Sequence, residues 1–167
     1  MKGNASNPET TFEQRVFAGA MAGAVTLLDQ AGKWLALRYQ AGRPPTDIVP
    51  GFLRLAYTTN PGAAWGMFAE HTWLLTVISA LALGFLIWQL PTMGEGLWLR
   101  VAGLGVLIGG IAGNLIDRLL HGEVIDFIDV HLHFYDWPVF NVADSAICLG
   151  IGLYILSGIR REPAKGG

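Results

Sequence analysis

The sequence predicts an α-helical integral membrane protein with four transmembrane helices and a small extramembrane β platform. Three observations carry that expectation. Of 167 residues, 52% are hydrophobic and 14% charged, with a mean hydropathy of +0.42, whereas a soluble domain carries roughly 25% charged residues. Four runs of about 20 mostly apolar residues, the length needed to cross a hydrocarbon core of about 30 Å, lie at Phe17 to Leu37, Thr72 to Leu90, Leu97 to Ile116 and Pro138 to Ile159. The 22 Gly, 6 Trp and 8 Phe suit close helix packing and aromatic belts at the membrane interfaces. The same arithmetic excludes other classes. A balance of 11 Lys+Arg against 13 Asp+Glu offers no basic field for nucleic acid. The one cysteine, Cys148, can form neither an internal disulfide nor a cysteine-rich zinc site. Length fits one membrane-embedded domain over residues 1–167.

The first run contains small residues, Ala18-Gly-Ala-Met-Ala-Gly-Ala, that invite comparison with a cleavable signal peptide. Glu9 and Glu13 in the tail before it, and apolar residues continuing well beyond, favour a retained helix. It carries Asp29 and Lys33 in its last third. No lipobox is present, because Cys148 lies inside the fourth run, so the chain does not read as a lipoprotein itself. After the first run, Ala41 to Asp47 reads as a loop and Gly51 to Thr59 as a strand, with Leu53, Leu55 and Tyr57 alternating against Arg54 and Thr58. Asn60-Pro61-Gly62 then reads as a turn. Such a sheet fragment serves either a platform on the membrane surface or an ordinary extramembrane cap.

The second run is uncharged, and the short linker Pro91 to Gly96 makes it an antiparallel hairpin with the third. The third run has Arg100 near its start and Gly109, Gly110 and Gly113 spaced for close helix contact. The fourth holds Asp144 near its beginning. An even number of spans puts both termini on one side. Lys2, Arg15, Arg100, Arg160, Arg161 and Lys165 fall on that side against Lys33, Arg38, Arg43, Arg54 and Arg118 on the other, a small excess in favour of cytoplasmic termini. The insertions at about 38–71 and 117–137 then face outward.

Asp144 is the least expected residue, since a carboxylate inside a span costs roughly 2.5 to 3.5 kcal/mol at the centre and less near an end. Helical spacing puts Asn141, Asp144 and Cys148 on one face, with Ser145 one turn from Asn141. Two readings stand: an interfacial catalytic acid, or a helix cap built by Asn141 or Asp144. Asp126 lies in a segment, Glu123 to His133, that alternates acids and imidazoles with apolar residues. That segment reads as a catalytic carboxylate, as a metal site through Asp129, His131 and His133, or as a solvated face; a His-x-His pair alone is a weak metal signal. Asn114 and Arg118 share a helical face, where they either hold a substrate backbone or a carboxylate, or leave Asp117 and Arg118 to neutralise each other. Asp29 and Lys33, one turn apart, read as an intrahelical ion pair, with Asp29 also available to support the site.

Other functions compete on the residues alone. A serine intramembrane protease needs an activated hydroxyl, but a Gly-x-Ser-Gly motif is absent and Ser79, Ser145 and Ser157 have no base positioned in the sequence. A small transporter could use Asp29, Asp144 and Arg118 as pathway residues. A purely structural membrane subunit would need Asp144 only for stability.

Five segments together are more specific: Leu28-Asp-Gln-Ala-Gly-Lys33, Asn60-Pro-Gly-Ala-Ala-Trp-Gly-Met-Phe68, Gly109-Gly-Ile-Ala-Gly-Asn-Leu-Ile-Asp-Arg118, Val124-Ile-Asp-Phe-Ile-Asp129 and Phe140-Asn-Val-Ala-Asp-Ser145. The set resembles the lipoprotein signal peptidase family, also called signal peptidase II, in the family's order from about Leu27 to Gly152. Gly66 stands where the family often has Ser. The resemblance implies a bacterial inner-membrane aspartic endopeptidase, with its active site toward the outer face. Its substrates would be diacylglyceryl-modified prolipoproteins, cleaved just before the lipidated cysteine. It implies Asp126 and Asp144 as the catalytic pair and Asp29, Asn60, Asn114, Arg118 and Asn141 as supporting and substrate-binding residues. It further implies an interfacial helix beside the sheet platform, the two corresponding to the insertions, contact with membrane lipid, and inhibition by globomycin-type lipopeptides. Two carboxylates held close in a partly desolvated site share a proton, so one serves as base and the other as acid. Neither a metal nor an organic cofactor is required.

Overall fold

A computed structural model describes residues 10–62, 69–93, 97–132 and 135–159. Helix α1 (Phe12–Tyr39) starts on a capping box in which the Thr11 hydroxyl accepts from the Gln14 backbone N–H and the Gln14 side chain accepts from Thr11 N–H. The strands β1 (Thr46–Val49) and β2 (Leu53–Asn60) follow as a hairpin. Gly51 takes φ +72° in the connection, a conformation that favours glycine. A one-turn 3-10 helix, Ala69–His71, leads into α2 (Thr72–Met93), and α3 (Trp98–His121) ends on Gly122 at φ +78°. The chain then forms β3 (Val124–Leu132), β4 (Tyr135–Asp136) and α4 (Val142–Ile159). The sheet is antiparallel with strand order β1-β2-β3-β4.

Helix α3 is the central element, packed on α4, α1 and α2. Its glycines make this possible. A Cβ on Gly109 would sit 2.6 Å from the Ala22 carbonyl oxygen of α1, and one on Gly110 would sit 2.6 Å from the Ala143 carbonyl oxygen of α4. Leu86, Leu104 and Ile108 form an apolar cluster where α2 joins the bundle. The outward faces are apolar as well: Trp73, Leu81 and Trp88 of α2 and Leu149 and Ile155 of α4 are exposed. A water-facing surface would not carry so continuous an apolar cover, whereas lipid accepts it.

Several expected boundaries move, each for a local reason. Among the described residues, three helices are long and apolar enough to cross a membrane: α2, α3 and α4. Helix α1 is not among them, because Asp29, Gln30 and Lys33 interrupt its apolar run. Helix α2 continues through Pro91 to Met93, where a linker was expected. The Thr10 N–H (2.8 Å) and hydroxyl (2.9 Å) bond the Pro91 carbonyl, and the hydroxyl also reaches the Leu90 carbonyl at 3.1 Å, satisfying groups that the helix end leaves free. Helix α3 runs five residues past Ile116, to His121, so Asp117 and Arg118 are helical. The fourth helix begins at Val142 rather than Pro138, because Phe140 first bridges β3: Ile128 N–H donates to Phe140 O at 2.7 Å and Phe140 N–H to Ile128 O at 3.0 Å. In β2 a bulge between Leu55 and Thr58 breaks the expected alternation and buries Ala56. The second insertion supplies strands β3 and β4. Helix outside the four long segments is limited, among the described residues, to the turn Ala69–His71.

Candidate active site

The polar side chains of the site come from the ends of β2 and α4 and from within α3 and β3. Asp126 points inward from β3 and is 2% exposed. The bridge to Phe140 brings Asn141 beside it, and the Asn141 amide Nδ2 donates to Asp126 Oδ1 at 2.6 Å. Asn60, at the end of β2, accepts the Gly62 N–H at 3.0 Å and donates Nδ2 to Asp126 Oδ2 at 3.2 Å. Asn141 also caps α4. Its Oδ1 accepts the Asp144 backbone N–H at 2.8 Å, while Asp144 Oδ2 accepts the Asn141 backbone N–H at 3.3 Å. This is a reciprocal capping box. The helix-cap reading of Asn141 and Asp144 therefore describes the geometry, and it leaves Asp144 Oδ1 for the Asn114 amide Nδ2 at 2.7 Å.

Behind these residues lies a buried ionic network. Lys33 Nζ contacts Asp29 Oδ2 at 2.7 Å, Asp117 Oδ2 at 2.8 Å and Asn114 Oδ1 at 2.9 Å. Asp29 Oδ1 accepts the Ala143 N–H in the first turn of α4 at 2.8 Å, and Asp117 Oδ2 accepts the Ile125 N–H at 3.0 Å. Gln30 joins them through Asp117 Oδ1 at 2.9 Å and the Gly113 carbonyl at 3.1 Å. Asp29 and Lys33 are thus more than an intrahelical pair, and Asp117 pairs with Lys33 rather than neutralising Arg118. Lys33, Asp117 and Gln30 were missed as site residues from sequence. The available signal was a lysine and two acids in apolar runs, which must find one another to be buried.

Asn60, Asn114, Arg118, Asp126, Asp144 and Cys148 line one cavity of about 610 Å³. Its other walls are largely apolar, among them Val130, Leu132, Trp137, Val139, Phe140 and Ile147. Arg118 sends Nη2 toward the Gly62 carbonyl at 3.5 Å. Burial, and then the Asp144 charge, push the Asp126 carboxyl up to about 7, against the opposing hydrogen bonds of Asn60 and Asn141 and the more distant charge of Lys33. A carboxyl poised there can hold or release a proton near neutral pH.

Of the three residues weighed as metal ligands, Asp129 and His131 are described. Asp129 accepts Arg54 Nε at 3.0 Å and Nη2 at 2.7 Å, and its other oxygen lies 3.2 Å from His131 Nε2. His133 lies outside the described residues, and among those described no three His, Cys, Asp or Glu side chains group as metal ligands. Residues 63–68 of the second motif, with Gly66, also lie outside them, as do Lys2, Arg160, Arg161 and Lys165 of the charge comparison. Ser145 donates its hydroxyl to the Asn141 carbonyl at 3.1 Å and Ser157 to the Tyr154 carbonyl at 2.5 Å.

The frame is similar to that of solved bacterial membrane enzymes. Two solved structures described as bacterial membrane enzymes superpose with TM-scores of 0.81 and 0.80, at 26% and 28% identity. They cover 96% and 93% of this chain and 99% of each of theirs. The sequence model of the family Signal peptidase (SPase) II matches residues 21–160. The lipoprotein signal peptidase of Syntrophotalea carbinolica is 38% identical over 149 residues, covering 85% of this chain and 92% of that protein. That of Geobacter sulfurreducens is 38% identical over 154 residues, covering 90% and 96%, and that of Geobacillus kaustophilus 37% over 147 residues, covering 87% and 96%. The chain belongs to the signal peptidase II family and is an aspartic-type hydrolase of lipoprotein processing.

Proposed function

We propose that this protein removes the signal peptide of diacylglyceryl-modified prolipoproteins immediately before the lipidated cysteine, with Asp126 and Asp144 as the catalytic pair. The observation that carries this reading is that the two carboxyls open into one cavity while the first is held near neutral pH by burial and by the charge of the second. The ionised member takes a proton from water, which attacks the scissile carbonyl. The protonated member hydrogen-bonds the carbonyl oxygen and then gives its proton to the leaving amine. Asn60, Asn114 and Asn141 orient the pair, Arg118 and Asn114 bind the substrate backbone, and Asp29 supports the site through the start of α4. No metal or organic cofactor enters the scheme.

The wider setting belongs to the same proposal. The chain is one peptidase domain over residues 1–167, in the bacterial inner membrane with cytoplasmic termini and the site toward the outer face. Helix α1 is the fourth span: its 28 residues extend about 42 Å, and its central charges are compensated inside the bundle rather than shown to lipid. The apolar cavity wall suits the lipid chains of the substrate and of surrounding membrane lipid, as well as globomycin-type lipopeptides.

The test is cleavage of a diacylglyceryl-modified prolipoprotein by the purified protein in detergent, with chelator throughout. Asp126→Asn and Asp144→Asn should each lose at least about 10²-fold in rate, the lower bound for removing a general acid or base, while remaining folded. Near-normal activity in either folded variant, or an inactive wild type on several lipidated substrates, would defeat the proposal and make ion-linked transport the next assay.

A further inference from the structure

Lys33 has no step in the scheme above, yet it is 2% exposed and sits directly behind the site. An ammonium carries three N–H groups and accepts nothing. Its three acceptors here are Asp29 Oδ2, Asp117 Oδ2 and Asn114 Oδ1, all within 2.7 to 2.9 Å. Because Lys33 only donates, Asn114 must turn its carbonyl oxygen toward it and its amine toward Asp144 Oδ1, 2.7 Å away. Asn141 Nδ2, 3.2 Å from the same Asn114 oxygen, occupies its second lone pair and reinforces the choice. Asp144 then receives the Asn114 amine on one oxygen and the Asn141 backbone N–H on the other, at the positive end of the α4 dipole. Asp126 likewise accepts two amide donors, from Asn141 and Asn60, so the two carboxyls differ in burial instead: Asp126 is almost wholly buried and Asp144 half-buried at the helix end, and desolvation works against the charged form.

The charges facing Asp144 are Arg118 from α3 and Asp126 from β3. Lys33 and Asp29 of α1 and Asp117 of α3 stand one amide further back. We infer that Lys33 is a positioning residue: it sets the polarity of the Asn114 amide and so keeps Asp144 as the ionised, water-activating member of the pair, leaving the shared proton on Asp126. The inference rests on the aspartic reading above and assigns its two roles. The upward displacement of Asp126 has the matching sense.

The test compares pH profiles of kcat/KM. Lys33→Gln combined with Asp117→Asn removes one positive and one negative charge, so the buried net charge is unchanged, but a neutral amide at position 33 no longer dictates how Asn114 points. The acid limb, which reports ionisation of the base, should move up by about one pH unit, as expected from losing a hydrogen bond to a charged group. Lys33→Arg, which also only donates, should keep the wild-type limb. Asn114→Ala removes the donor to Asp144 without adding a charge, so it should move the limb upward too, and it decides the matter if the double variant does not fold. An unmoved limb in the folded double variant or in Asn114→Ala overturns the inference, as does an equal shift in Lys33→Arg. Wild-type activity lost on Asp144→Asn, together with an unmoved limb, defeats this inference alone; retained activity in Asp144→Asn defeats the catalytic pair itself.

Discussion

Replacing Gly113 by alanine tests whether the buried network and the helix contacts are one structure. A methyl at this position would sit 2.5 Å from Asp29 Oδ2, 3.1 Å from Asp29 Cγ and 3.2 Å from Ala143 Cβ. The Asp29 carboxylate cannot simply swing aside, since it is held by Lys33 at 2.7 Å and by the Ala143 N–H at 2.8 Å. Overpacking of this kind costs about 1–3 kcal/mol, and giving up a charge-assisted hydrogen bond adds about 1.5–3 kcal/mol. The better helix propensity of alanine returns at most about 1 kcal/mol. The net loss is then about 1.5–5 kcal/mol, or a fall in Tm of roughly 3–20 °C for a chain of this size. Cleavage should fall with it, because Asp29 tethers the turn of α4 that carries Asp144. The assay is thermal unfolding in detergent alongside prolipoprotein cleavage, with Gly19→Ala as the control, since a Cβ there meets nothing within 4 Å. Wild-type Tm and activity in Gly113→Ala would refute the close contact between α3 and Asp29.

Asp126 gives a prediction about stability that is separate from catalysis. Its folded carboxyl is raised from 3.8 to about 7, so the folded state binds the extra proton across that window and stability falls as pH rises through it, by up to about 4 kcal/mol. The Tm of wild type should therefore drop between about pH 4 and pH 7 and level off above, and Asp126→Asn should flatten the dependence; equal slopes in the two proteins would contradict the burial described. Cys148 is exposed and lies on the cavity wall with Asp144. Cys148→Ser should cleave normally, whereas alkylation of the wild-type thiol by a bulky maleimide should block cleavage and leave the serine variant unaffected. Full activity of the alkylated protein would show that substrate does not use this side of the cavity.

Much of the architecture was legible because apolar runs and polar interruptions are both local signals. The runs ending near Leu90 and Ile159 are helices, and Gly109, Gly110 and Gly113 do mark close contacts. Boundaries set by partners distant in sequence were not legible. The end of α2 depends on Thr10, about eighty residues away, and the start of α4 depends on the bridge from Phe140 to Ile128. The bulge in β2 likewise has no mark in the alternation of Leu53, Leu55 and Tyr57. For the site, the acids and asparagines stood out as polar residues beside apolar runs, and the structure brings Asn60, Asn114, Arg118, Asp126 and Asp144 to one cavity. The role of Lys33 was hidden because its spacing from Asp29 already offered a sufficient local partner. Only the fold reveals that Asp117 and Asn114 share the same ammonium.

The capping box at α4 has a consequence for drug resistance. Asn141 holds the helix start and Asp126 with one amide, and Asp29 serves both Lys33 and the Ala143 N–H. A compound gripping these polar groups could be evaded there only by variants that lose a cap worth about 1 kcal/mol or strand a buried lysine. Escape mutations would be driven instead to the apolar lining, to positions such as Val130, Leu132 and Ile147, where a change of shape leaves the polar scaffold untouched. Compounds that draw affinity from the asparagines and carboxyls, and little from that lining, should be the slowest to select resistant strains.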